Sequence, residues 1–365
     1  MNILRGEKNN RREKLSMQEE TSLLEKGKRL FSGKRYASAL HLFKKGIEGK
    51  ISPPGALLFE TGKTLFVLGR FSEAEVFLKK SLRAVSSPVD SLLLLAKIHA
   101  GTGRQKEAAD FFRKLLSSDP RHGEAHYELG KVLRESGNLP SAVRHFVRAA
   151  RLGFKTGTAF FLAGSVCLKQ KYHDESLRFF QSAKRRGYRE EDYFLNLSRL
   201  YLEQGFEKKA LAELLSGLRV FPESRILRME LGRRYLHRRD DPVSALNEFR
   251  RLAGEEEKEP DLLKERGLAA FRSGHFEEAL PRLRRHVMNS PGDSEVRFLL
   301  GRVYSLLRRY KEALSEFDRI RRKGYSHEEF EKEKEIVLFL RGDYDLAPYA
   351  ARQRGRFLSR AAFVL

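Results

Sequence analysis

Three columns of residues recur through this chain at one fixed interval, and that interval limits the fold more than any other feature. The first column is small: Ala39, Ala74, Ala108, Ala142, Ser176, Ala210, Ala245, Ala279, Ala313 and Ala347. Successive members are 34 residues apart, or 35 at two joints. A second small column runs Gly27, Gly62, Ala96, Gly130, Gly164, Ser198, Gly232, Gly267 and Gly301. A third is bulky, four residues after the first: Phe43, Leu78, Phe112, Phe146, Phe180, Leu214, Phe249, Leu283 and Phe317. A period of this length is the mark of stacked supersecondary units rather than one globular core.

The columns also define the unit. A small residue inside a helix belongs where a second helix approaches closely, so the glycine column predicts one helix and the alanine column, 12 residues later, another. Four residues from small to bulky is one helical face. Turn residues Gly33, Gly69, Gly103, Gly137, Gly205 and Gly274 fall between the two. Pro53, Pro88, Pro120, Pro222, Pro260 and Pro291 are expected to stop second helices. Gly153-Phe154, Gly187-Tyr188 and Gly324-Tyr325 read instead as glycine caps with an aromatic packing back. An extra residue near Asp240-Asp241-Pro242 reads as a lengthened turn. The expected fold class is all-α, a solenoid of about nine helical hairpins plus a degenerate tenth.

Segments such as Gly69-Arg70-Phe71-Ser72-Glu73-Ala74 and Gly274-His275-Phe276-Glu277-Glu278-Ala279 resemble the tetratricopeptide repeat, a 34-residue helix-turn-helix unit. The resemblance covers about residues 20 to 353. The tenth unit departs from it, because Glu335 replaces the first-helix glycine and Pro348 sits early in the second helix. The boundaries follow: a basic arm over 1–17, an array over 18–326, a capping unit over 327–353 and a basic, apolar tail over 354–365. The resemblance implies a right-handed superhelix of paired helices whose concave groove holds peptides or partner proteins.

It also implies that the residue after each first-helix glycine faces that groove. This column reads Lys28, Lys63, Lys97, Lys131, Ser165, Arg199, Arg233, Leu268 and Arg302, seven of nine basic. Glu25, Glu60, Glu128 and Glu230 precede four of these cations by three residues and are expected to neutralise them. Lys97, Arg199 and Arg302 have Leu94, Asn196 and Leu299 there, which makes them the stronger ligand candidates. In related peptide-binding units, groove asparagines bond the ligand backbone and cations hold its carboxylate; here only Asn196 with Arg199 and Arg233 matches locally. The candidate groove residues are therefore Lys63, Lys97, Lys131, Asn196, Arg199, Arg233 and Arg302.

Lys and Arg outnumber Asp and Glu by 72 to 49, a formal charge of +23, so an acidic partner is expected. The protein-binding scaffold is the leading class. The alternative is a basic helical-repeat module associated with nucleic acid or ribonucleoprotein, binding it nonspecifically through the backbone. Basic clusters such as Lys184-Arg185-Arg186 and Arg284-Arg285 lie away from the groove column.

No catalytic constellation is found, and neither cofactor nor metal is expected. His122 and His126 are four apart without a third ligand. Cys167, the single cysteine, reads as a small apolar filler rather than a reactive thiol. One cysteine, no run of about 18 apolar residues and no signal-peptide pattern lead to the expectation of a cytoplasmic protein without a transmembrane segment.

Overall fold

A computed structural model describes residues 18–48, 54–84, 88–237, 240–252, 254, 260–321 and 328–342. Among these residues there are nineteen helices and no strand, so the chain is all-α. It falls into two compact units, Met1–Arg189 and Glu190–Leu365.

The first unit holds five hairpins. They are α1 (18–32) with α2 (Tyr36–Ile47), α3 (Gly55–Val67) with α4 (Phe71–Ala84), α5 (Val89–Gly101) with α6 (Gln105–Ser118), α7 (Gly123–Glu135) with α8 (Leu139–Arg151), and α9 (Thr156–Lys169) with α10 (His173–Arg185). The second unit holds α11 (Glu191–Glu203) with α12 (Glu207–Val220), α13 (Arg225–His237) with α14 (Pro242–Arg250), α15 (Pro260–Arg272) with α16 (Phe276–Asn289), α17 (Ser294–Leu306) with α18 (Tyr310–Arg321), and α19 (Glu328–Arg341). The arm, the tail, Pro53, Gly324-Tyr325, Pro348 and the second half of the tenth repeat lie outside the described residues.

The columns are the hairpin seams. All nine members of the bulky column are fully buried, and so are Ala39 through Ala313. A Cβ added at Gly62 would stand 2.7 Å from Leu78, and at Gly130 or Gly164 it would stand 2.8 Å from the ring of Phe146 or Phe180. Gly27 and Gly301 are pressed as closely against Phe43 and Phe317. First and second helices thus touch where a glycine admits a large side chain sixteen residues later. Each such burial stabilises by roughly 1.5–3 kcal/mol. Unit five substitutes Ser176 for the alanine, and its hydroxyl donates to Gly164 O at 2.9 Å across the seam, so the polar group is satisfied.

The turns follow the sequence with two corrections. Gly69, Gly103, Gly137, Gly205 and Gly274 adopt positive φ, but in the first hairpin the left-handed residue is Lys34 rather than Gly33. Pro88 and Pro260 sit at the start of the following helix, not at the end of the preceding one. At a helix start, where an N–H has no acceptor within the helix, a proline gives up no hydrogen bond.

The lengthened turn is visible in its hydrogen bond. Ordinary hairpins close through Asn138 N to Leu133 O, whereas here Asp241 N reaches back to Tyr235 O, one residue further. The glycine caps are formed as expected: Phe154 N donates to Ala149 O and Tyr188 N to Ala183 O. Their rings fold back onto Tyr127 at 5.6 Å and Phe161 at 4.7 Å.

Candidate protein-binding face

The residue after the seam glycine faces away from its own hairpin partner and toward the next first helix. The ion pairs give this orientation directly. Lys28 on α1 reaches Glu60 on α3 at 3.9 Å, and Lys97 on α5 reaches Glu124 on α7 at 2.6 Å. In the second unit Arg233 on α13 meets Glu265 on α15 at 3.3 Å and Asp261 at 3.4 Å, while Arg302 on α17 meets Glu333 on α19 at 3.2 Å. The basic column is therefore a surface of consecutive first helices within each unit, laced by carboxylates from the next repeat.

Intrahelical spacing points to partners three residues back, and the structure departs from it in part. Lys63–Glu60 at 3.4 Å and Lys131–Glu128 at 2.9 Å are intrahelical pairs as expected. Glu230, expected to serve Arg233, instead holds Arg234. Lys97 and Arg302 do lack an intrahelical carboxylate, yet each is paired between repeats, so neither is a bare cation. Acidic residues near the start of the following first helix, Glu124 and Asp261 among them, are the sequence signal for these longer pairs.

Arg199 is different. It is exposed on α11 and makes no ion pair with a described residue. Asn196, one turn earlier, donates from Nδ2 to Asp192 O at 2.8 Å, which ties that amide to its own helix.

Aromatic rings lie under three of the cations. Lys63 sits over Phe31 at 4.8 Å and Phe59 at 5.8 Å, Lys131 over Tyr127 at 5.9 Å, and Arg302 over Phe271 at 5.2 Å and Phe298 at 5.9 Å. These contacts, together with the carboxylates named above, hold the charged ends of the three side chains in place. Where the column carries Leu268, a cavity of about 430 Å³ opens between α15, α17 and α19, lined by Phe271, Phe298, Leu299 and Arg302.

The remaining candidates are occupied otherwise. His122 accepts from Ala125 N at 3.1 Å as the cap of α7, and His126 faces His145. Cys167 is buried, and burial pushes its thiol up to about 11, the behaviour of a core filler. Among the described residues, no group of three or more metal-ligating side chains converges and no helix is long and apolar enough to cross a membrane.

The profile of the family described as tetratricopeptide repeat matches residues 59–123, 93–155, 127–189 and 264–327, more than half of the chain. The chain belongs to the tetratricopeptide repeat family. Repeats of this family form protein-interaction scaffolds. No curated protein is similar enough to the chain to count as a match. Among solved structures, the chain is similar to the C-terminal part of a TPR repeat-containing protein from Cytophaga hutchinsonii. The TM-score there is 0.58 at 14% identity, covering 66% of this chain and 98% of that one. A tetratricopeptide repeat protein from Parabacteroides merdae gives 0.47 at 20% identity, covering 69% and 99%. YrrB, described as a TPR protein with an unusual peptide-binding site, gives 0.45 at 24% identity, covering 51% and 94%.

Proposed function

We propose that this protein is a non-catalytic scaffold that holds an acidic protein or peptide partner along the face of its first helices. Lys63, Lys97, Lys131, Asn196, Arg199, Arg233 and Arg302 are the residues assigned to that contact. The observation that carries the reading is the uncompensated guanidinium of Arg199, in a unit where Arg233 and Arg302 of the same column have carboxylate partners; in the other unit Lys28, Lys63, Lys97 and Lys131 are likewise paired. A partner carboxylate at Arg199 completes the pattern with a charge-assisted hydrogen bond. Glu60 already serves both Lys28 and Lys63, which leaves further positive charge on the first unit's face. The single buried cysteine suits a reducing compartment such as the cytoplasm.

The test begins with affinity capture at physiological salt and identification of the partner by mass spectrometry. Changing Arg199, Arg233 and Arg302 together to Glu is expected to weaken binding about a hundredfold or more, since the loss of even two of the three charge-assisted bonds, at about 1.5–3 kcal/mol each, gives that factor. Reversal of the exposed Lys184, Arg185 and Arg186 is expected to leave it unchanged. If the second set abolishes partner binding and the first does not, the first-helix face is not the functional one. Nucleic acid that co-purifies at low salt and is displaced only by the second set would favour the nucleic-acid class instead.

A further inference from the structure

A second pocket in the Glu190–Leu365 unit lies on the opposite element set, between the second helices α16 and α18 with α17 residues behind them. Its volume is about 500 Å³. Four arginines line it, Arg284, Arg297, Arg309 and Arg319, against two carboxylates, Glu312 and Glu316.

The pairing is unequal. Glu316 accepts from Arg297 Nη1 at 2.7 Å and from Arg319 Nη1 at 2.6 Å, so one carboxylate balances two cations. Arg309 takes Glu312 at 2.7 Å, and Arg284 is exposed with no ion pair to a described residue. Arg297 is 7% exposed and its Nε is buried without an acceptor. The lining therefore carries a surplus of two positive charges.

Beside this surplus lies apolar surface. Met288 is 70% exposed, the largest value among the exposed large hydrophobic side chains described, and it borders the pocket with Val287 and Leu300.

An internal comparison separates structure from site. The α13–α14 hairpin, two repeats earlier, has the same triad: Glu248 pairs with Arg228 at 3.0 Å and with Arg251 at 3.0 Å. Arg–Glu–Arg is thus a tie within the hairpin. Arg284, Arg309 and the exposed Met288 set this pocket apart, since Leu215, Asp241 and Arg219 occupy the corresponding positions two repeats earlier.

We propose that this pocket is a second protein-binding site, taking an acidic segment of a partner in which a carboxylate adjoins an aliphatic or aromatic side chain. The carboxylate meets Arg284 and the surplus of the arginine cluster, and the apolar side chain covers Met288. Charge selects an anion, and the apolar lining selects a peptide over free phosphate, which has no apolar group to place there.

The test uses the full chain and a displayed library of random peptides, selected on the wild type after depletion on an Arg284→Glu/Met288→Asp variant. Both positions are exposed, so the fold is expected to survive, and circular dichroism checks it. The expected outcome is enrichment of peptides with Asp or Glu within a few residues of an aliphatic or aromatic residue. The double variant should bind them about tenfold or more weakly, whereas Arg199→Glu and Leu215→Asp, the latter at the exposed apolar position of α12 that corresponds to Arg284, should not weaken them. Enriched peptides without a carboxylate, or no peptide that tells the variant from the wild type, would overturn the proposal. Displacement of the peptides by millimolar inorganic phosphate would overturn it in favour of a phosphate site. Peptides whose binding is abolished by Arg199→Glu alone would overturn it while leaving the first-helix reading intact.

Discussion

His126 and His145 meet nitrogen to nitrogen, Nδ1 to Nδ1 at 2.9 Å, where other hairpins carry an arginine–glutamate pair. His126 Nε2 lies 3.2 Å from Pro120 O, as Arg297 lies 3.3 Å from Pro291 O; Arg228 bonds Pro222 O in the same way. Arg228–Glu248 and Arg297–Glu316 tie the two helices in those hairpins, and Phe160 stacks on Phe179 at 6.3 Å in another. One position therefore admits an ion pair, an aromatic stack or a pair of imidazoles. His126 satisfies it only while neutral, because its Nδ1 must accept the hydrogen that His145 donates if its Nε2–H is given to Pro120 O.

That pair sets an acid limit on the fold. Burial lowers both histidines below 6.5, His145 to about 4, with Arg113, Arg144 and Arg148 adding repulsion, His122 opposing protonation of His126 and Asp119 favouring it. A folded pKa below the unfolded one means that the unfolded chain binds protons first. Stability is full above about 6.5 and is lost as pH falls toward about 4. A His126→Phe/His145→Phe variant, which copies the Phe160–Phe179 stack, should lose less melting temperature between pH 7.5 and pH 5 than the wild type. An equal loss in the two would show that the pair does not titrate this way.

The seams predict a graded response to volume. Ala142→Phe and Ala279→Phe should each destabilise by roughly 1–3 kcal/mol, since both alanines are fully buried. Gly130→Ala should cost less, about 1 kcal/mol, because Ala96 already stands in that column opposite Phe112. Denaturant midpoints of the three variants give the order.

Glu278 should be costly to remove. It accepts from Arg250 at 2.6 Å and from the buried Arg266 at 2.9 Å, and these arginines hold its carboxyl down at about 2. Glu278→Ala leaves Arg266 without that partner and should destabilise by about 3 kcal/mol. Arg250→Ala, which is more exposed, should cost much less in the same denaturation assay.

Cys167 should be nearly inert to a thiol reagent at pH 8 in the folded protein and should react fully, as one thiol, in denaturant. Rapid native labelling would contradict its burial and its thiol pKa of about 11.

The exposed Lys184-Arg185-Arg186 run should govern nonspecific attraction. Reversing it to glutamate should lower the salt dependence of weak binding to single-stranded nucleic acid, by about 0.7 in log–log slope for each phosphate that the run neutralises. An unchanged slope would place that attraction elsewhere on the basic surface.

By itself the sequence determined the hairpin, its period and its seams. A glycine and an aromatic sixteen residues apart, as at Gly130 and Phe146, are local enough that a helical period and one turn bring them together. The caps at Gly153 and Gly187 and the longer turn at Asp241 were legible for the same reason: each depends on hydrogen bonds spanning five or six residues. The tertiary structure decided which charges are spent. Lys97 finds Glu124 and Arg302 finds Glu333 only when one first helix is laid beside the next, at a register that intrahelical spacing does not contain. His126 and His145, and the arginine surplus around Met288, likewise join residues from different helices. Period and turn chemistry are properties of a short stretch of chain, whereas the balance of a charge depends on what stacking brings within about 4 Å of it.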